Sequence, residues 1–314
     1  MNFTHAHIIV NHVPTIGFAI AVALFAIALF YQEDRLQRLS LMLMFVIALV
    51  TIPVYLTGVA AAGVLQERFE VSAALISSHE DAALSAFALM QLTGGFAWLG
   101  LWQARRFSRP LRGTLIAVGV LSIASFALMG YAASIGGAIR HPEILNEAQA
   151  AAAETVPAVA WLRTAPIIAL INDTPWAWPA GEAVHFIGLA LSFGVVLVIN
   201  LRVLGMMRAI AVADLHRLLP WGIAGFAMNL VTGMMFFIAT PGQYVTNTPF
   251  IWKMIFLMLV GTHLIYFTSN DAPWRVGAQQ QASLPTRSIA AVAIFLWLGV
   301  IYLGRMLPYL GNAY

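Results

Sequence analysis

The stretch GTLIAVGVLSIASFALMGYAASIGGA, residues 113–138, contains no charged residue and is closed at its two ends by Arg112 and Arg140. As a helix rising about 1.5 Å per residue it is long enough to cross a hydrocarbon core of about 30 Å. A soluble helix of this length would carry a charged face, and this one has none. It reads as a membrane span. Working outward, seven further apolar runs lie between charged or Pro/Gly-rich breaks, at 6–30, 40–65, 79–103, 182–204, 217–240, 250–268 and 287–307. The bulk composition agrees, with 61% hydrophobic and 9% charged residues and a mean hydropathy of +0.84. Soluble domains carry roughly 45–50% apolar and about 25% charged residues. The expected fold class is all-α: a polytopic integral membrane protein of eight transmembrane helices in two four-helix halves.

Charge placement gives the expected orientation. The connections after odd-numbered spans hold Arg35, Arg38, Arg105, Arg106, Arg109, Arg112, Arg202, Arg208, Arg217, Arg275 and Arg287, eleven of the sixteen Lys and Arg. Under the positive-inside rule these connections are cytoplasmic and both termini lie outside. Most carboxylates fall on the opposite rim, which makes the outer face acidic. The first run has no basic residue before it and is too long for a signal-peptide core, so it is read as a retained span. The domains follow as residues 1–141, a four-helix domain; 142–181, an outer connector; and 182–314, a second four-helix domain. Within the connector, the Ala- and Glu-rich 143–156 reads as a short surface helix. NDTPWAWPAG (172–181), with Trp176 and Trp178, reads as an interfacial turn.

With no cysteine in the chain, disulfides, thiolate zinc, iron–sulfur clusters, covalent c-type haem and Cys nucleophiles are excluded. Thinly spread Lys and Arg give no nucleic-acid footprint. There is no P-loop or GxGxxG fingerprint, and HEDAA (79–83) lacks the second His of a zincin helix. The cofactor question therefore falls on eight histidines. Six of them, His5, His7, His12, His79, His141 and His185, map to the outer ends of spans; His216 and His263 lie toward the inner side. Polar side chains at membrane depth are costly and tend to be functional, and neutral imidazole suits haem iron, copper and zinc.

His12 follows Asn11 near the mouth of the first span, with Pro14 in its first turn. His79 opens the third span beside Glu80 and Asp81, either of which could orient an imidazole. His141 ends the fourth, where Arg140 is suited to a haem propionate or to the helix C-terminus. His185 follows Glu182, which shares its face. His7 and His12, five residues apart, are considered together for one site, and His5 and His7 also read as a solvent-exposed pair. Gly17, Gly58, Gly63, Gly94, Gly95, Gly136 and Gly137 give either room for a macrocycle or close helix packing. The resulting candidates are metal ligands His7, His12, His79, His141 and His185, with Arg140, Gly17, Gly95, Gly137 and Glu182 as cofactor-binding residues. The expected axial pairs are His12 with His79, and His141 with His185.

Two stretches also carry a resemblance. The segment from Glu182 to Phe267, with EAVH (182–185), NLRVLG (200–205), LPWGIAGFAMNLVTGMMFF (219–237) and NTPFIWK (247–253), resembles an uncharacterised family of bacterial inner-membrane proteins. HIIVNHVPTIG (7–17), SHEDAA (78–83) and GGAIRHPEI (136–144) are similar to small four-helix bacterial membrane proteins that look like b-type cytochromes. The resemblance implies a redox setting in the bacterial inner membrane. Together these readings point to a b-type electron-transfer subunit. It would hold one or two non-covalent haems and link a membrane quinone pool to periplasmic or membrane cytochrome partners. Two alternatives stand beside it: a copper- or zinc-handling permease, and a non-redox anchor of a larger respiratory complex.

Overall fold

The computed structural model describes residue 7 and residues 9–66, 73–140 and 166–310. His5, His141 and the 143–156 segment lie outside these residues. Every regular element described is helical, and eight helices are long and apolar enough to cross a membrane. We label them α1 (His12–Tyr31), α2 (Asp34–Gln66), α3 (Ala73–Phe107), α4 (Arg112–Arg140), α5 (Ala177–Leu204), α6 (Leu219–Ala239), α7 (Thr248–Ser269) and α8 (Leu284–Leu310). Each overlaps one expected span, and α2, α3, α5 and α8 run three or more residues past the apolar stretch, because a helix continues through the polar rim wherever nothing breaks it.

Local sequence explains the ends. α1 stops where Gln32 takes a left-handed φ of 54° and Glu33 and Asp34 begin. α5 ends at Gly205, whose φ of 104° is open to glycine without strain. The Asn247 side-chain carbonyl caps α7 by accepting from the Phe250 N–H at 3.1 Å. The same Asn247 amide donates to the Leu307 carbonyl at 3.0 Å, tying the start of α7 to the end of α8. One expectation is corrected here. The Trp/Pro segment 172–181 is not wholly a turn, since α5 already begins at Ala177. Pro179 is tolerated because N–H groups in the first turn have no helical partner to lose.

The chain divides into two compact units, Met1–Ile168 and Ala169–Tyr314. In the first, α1 to α4 pack in chain order and α1 also meets α4, which closes a ring of four. In the second, α5 packs on both α6 and α8, and α8 packs on α7. At the α5–α6 crossing two glycines meet. A Cβ at Gly188 would come within 2.8 Å of the Gly225 carbonyl, and one at Gly225 within 2.6 Å of the Gly188 carbonyl. The backbones touch there, as small residues allow in membrane bundles.

Arg202 belongs to the last turn of α5 and is 0% exposed, not a rim charge as the sequence suggested. Its Nη2 donates to the Gly277 carbonyl at 2.8 Å and to Gln280 at 3.4 Å, and its Nε donates to the Ile210 carbonyl. The guanidinium fork therefore holds two connections at once, and both are also joined by the Gln279 N–H to Arg208 carbonyl bond of 2.7 Å. Arg202→Met leaves these carbonyls without their charged donor and is expected to destabilise the second unit by about 3 kcal/mol. Arg202→Lys, with a single ammonium in place of the fork, should not restore it. Thermal unfolding in detergent measures both, and equal stability of Arg202→Met and wild type would refute the role.

Candidate functional site

Within the first unit the four helices line an open-sided cavity of about 140 Å³. Each helix contributes one stripe at helical spacing: His7, Asn11, Pro14 and Thr15; then Thr51, Val54, Tyr55 and Gly58; then His79, Glu80, Ala83, Phe87 and Met90; then Met129, Ala132 and Ala133. Positions i, i+4 and i+7 fall on one helix face, so this lining is what four amphipathic registers produce when turned inward. Tyr55 and Phe87 stack across it with ring centroids 4.8 Å apart.

Two imidazoles meet at this cavity in matching settings. His7 precedes α1 by five residues in a helical turn, where its carbonyl accepts the Asn11 N–H at 2.9 Å. Its Nδ1 donates to the Val54 carbonyl of α2 at 3.1 Å, and a Cβ at Gly58 would come within 2.9 Å of its ring. His79 Nδ1 donates to the Ala132 carbonyl of α4 at 2.9 Å, and a Cβ at Gly136 would come within 3.1 Å of its ring. In each case the acceptor and the glycine are four residues apart on the neighbouring helix. With the proton assigned to Nδ1 by these carbonyls, each Nε2 carries a lone pair, and among the described residues neither has a hydrogen-bond partner. Burial holds the His7 imidazole below its ordinary pKa of 6.5; the Val54 carbonyl opposes this and the nearby His79 adds to it. His7 is therefore neutral at pH 7. Among the described residues the Asn11 side-chain oxygen, on the same stripe, is buried and has no partner.

The other candidates are placed as follows. His12 is exposed and stands outside the cavity. His7, and not His12, lines the cavity together with His79. Gly17 abuts Ile47, with 3.4 Å from a Cβ to its Cδ1, and not an imidazole. Gly95 is half-buried and does not line the cavity, whereas a Cβ at Gly137 would meet nothing within 4 Å. The backbone of Arg140 closes α4; its side chain, like His141, lies outside the description. His185 belongs to the second unit, as does Glu182, which is half-buried on the same face of α5. The axial pair of His141 with His185 thus has only one member among the described residues.

His185 has a setting related to that of the first two. Its Nδ1 donates to Thr232 Oγ1 at 2.7 Å, Thr232 passes its own proton to the Met228 carbonyl at 2.6 Å, and the ring lies over Gly233, 3.7 Å from a Cβ there. His263 is buried, with Nε2 bonded to Asn200 Oδ1 at 3.3 Å. His216 packs edge-on against Trp274 at 3.9 Å. Among the described residues no group of three or more His, Asp or Glu could hold a metal ion. Comparison with family models, curated proteins and solved structures finds no match, so the functional reading rests on this geometry.

The seating of His79 gives a sharp test. Gly136→Ala pushes a methyl into a ring pinned at Nδ1, whereas Gly137→Ala, one residue on, has open space. Despite the usual helix gain of Ala over Gly, Gly136→Ala is expected to destabilise by about 1 kcal/mol, and Gly137→Ala to be neutral or stabilising. Denaturation of the two variants in detergent gives the comparison, and the same effect from both would remove the role assigned to Gly136.

Proposed function

We propose that the first unit holds haem b between His7 and His79, and that the chain is a membrane electron-transfer subunit working between the quinone pool and a redox partner at the outer rim. One observation carries this reading: two imidazoles face one cavity from different helices, each with its Nδ1 placed against a backbone carbonyl and, among the described residues, no hydrogen-bond partner at Nε2. Fixing the remote nitrogen in this way orients an iron-ligating imidazole and raises its basicity.

The surroundings fit the group. The walls are apolar and aromatic, and the stripe from His79 to Met90 spans about 16 Å of helix, a length comparable with a macrocycle. The open volume is smaller than a haem, and the unbranched side chains of Met90 and Met129 are the parts of the lining most able to turn aside. A zinc or copper site of three protein ligands has no candidate among the described residues, which favours the two-ligand group over a metal-handling permease.

Bound there, haem b would supply one-electron transfer. The work of the chain is to keep both imidazoles neutral and pointed inward, to exclude water with Tyr55, Phe87 and the Met side chains, and to hold the four helices at fixed spacing. Arg140, on α4 after the His79 acceptor, is the residue suited to a propionate. The acidic outer rim suits a basic partner such as a soluble cytochrome.

Protein expressed with haem supply is expected to show a Soret band, a reduced α-band and a pyridine haemochrome spectrum of b type, with iron and no stoichiometric copper. His7→Ala and His79→Ala should each lose most of the haem, whereas His12→Ala should keep it. A colourless wild-type protein, or full haem retention in His7→Ala, would sink the assignment.

A further inference from the structure

The second unit contains a polar pair that the haem site does not use. Lys253 lies six residues into α7, inside a membrane span, and among the described residues it has no ion pair and no hydrogen bond. A cation at such depth without a partner is a functional group by default, because leaving it there costs free energy that a carboxylate would otherwise offset. It does not reach for the rim. Its Nζ lies at the level of Gly304 on α8, where a Cβ would be 3.5 Å away. Counted along their helices, Lys253 is about 8 Å from the start of α7, Gly304 about 9 Å from the end of α8 and His185 about 12 Å from the start of α5. All three occupy one layer at the same end of the unit. Lys253 is within electrostatic reach of His185.

His185 faces this layer with its Nδ1 proton committed to Thr232 and its Nε2 bare, so it accepts a proton or a hydrogen bond and donates none. Phe236 lies 6.2 Å from it and stacks on Trp178 at 4.6 Å, which forms an aromatic wall. The layer therefore presents the His185 acceptor, the Glu182 carboxylate one turn before it on the same face of α5, one cationic donor and aromatic faces, all at membrane depth. A ligand that satisfies both His185 and Lys253 must be lipid-soluble and bring a hydroxyl to one and an oxygen acceptor to the other. A lipid phosphodiester could satisfy Lys253, but it has no proton to give His185.

We propose that His185 and Lys253 bind a quinol-class ligand, a hydroxylated aromatic ring with an apolar tail, its hydroxyl donating to His185 Nε2 and its second oxygen accepting from Lys253 Nζ. This deepens the electron-transfer reading, and its biological use rests on that reading, but binding can be measured without it.

The probe is 2-heptyl-4-hydroxyquinoline N-oxide, a fluorescent hydroxylated bicyclic ring, titrated into the full-length protein in nanodiscs of neutral phosphatidylcholine. Wild type is expected to quench its fluorescence saturably at one site. Lys253→Met and His185→Leu should each weaken binding at least tenfold, and Lys253→Arg less. Thr232→Val, which deprives His185 of the acceptor that fixes its proton, should weaken it severalfold while the protein stays monodisperse. Equal binding by wild type and Lys253→Met would overturn the proposal. So would displacement of the probe by phosphatidylglycerol nanodiscs, which would identify Lys253 as a lipid-phosphate contact. His79→Ala is the separating control: if it loses haem and keeps the probe, both assignments stand, and if wild type has no haem yet binds the probe in a Lys253-dependent way, only the haem reading fails.

Discussion

A backbone carbonyl inside an α-helix already accepts the N–H four residues on, and the side chain at that later residue covers its remaining lone pair. A bulky donor such as an imidazole seats closely against the carbonyl where that side chain is missing, whereas the slender Gln91 amide reaches the Ala48 carbonyl at 2.8 Å even beside Ile52. The first unit meets this condition twice, at Val54 with Gly58 and at Ala132 with Gly136, and each opening is filled by an imidazole. The rest of the cavity depends on it. Once Nδ1–H is committed to a helix of the same bundle, the ring cannot rotate, the tautomer is fixed, and Nε2 must face the space between the helices. Val54 and Ala132 lie on α2 and α4, and the histidines on the N-terminal turn and α3, so the same two bonds also tie adjacent members of the ring of four together in pairs.

The bilayer sets the wider rule. Within the hydrocarbon region a polar group without a partner has no water to turn to, and the second unit answers this in graded ways. Arg202 is completely buried yet bonded on several sides to backbone carbonyls, which makes it a staple for the connections at its end of the unit. His263 is bonded to Asn200 through one nitrogen, and among the described residues its Nδ1 has no partner. Among the described residues Lys253 has neither kind of support. The gradient from Arg202 to Lys253 separates a charge kept for architecture from one whose partner the described chain does not supply, although the two are equally conspicuous as charges in an apolar sequence.

The spans were legible because hydrophobicity and length decide them, and tertiary context cannot make a 26-residue uncharged run such as 113–138 anything else. Their ends were less so. α5 starts within WAWPAG because Pro179 costs nothing in a first turn, whereas the turn formers and paired tryptophans of 172–181 read as an interfacial turn. Arg202 was read as a rim charge because charge alone does not reveal a set of carbonyls gathered from two connections distant in sequence. The glycines were visible as openings between helices, but which of them would receive a side chain depends on which helix lies opposite, and a single sequence does not carry that.

The choice between His7 and His12 is the most instructive case, because the information was present in the register. Five residues at about 100° each turn a side chain by about 140° from its starting direction, so two histidines so spaced cannot serve one inward site. The face that holds His7 also holds Asn11, Pro14, Thr15 and Phe18, at spacings of four, seven, eight and eleven, and Phe18 is fully buried. The face that holds His12 also holds Ile9, Ile16 and Ile20, which are exposed and apolar, as expected of residues against lipid. Depth in the apolar run favoured His12, whereas facing favours His7. In a membrane bundle the two criteria are independent, since the hydrocarbon makes both sides of a helix apolar, and only the small and polar residues at helical spacing distinguish the side that looks inward.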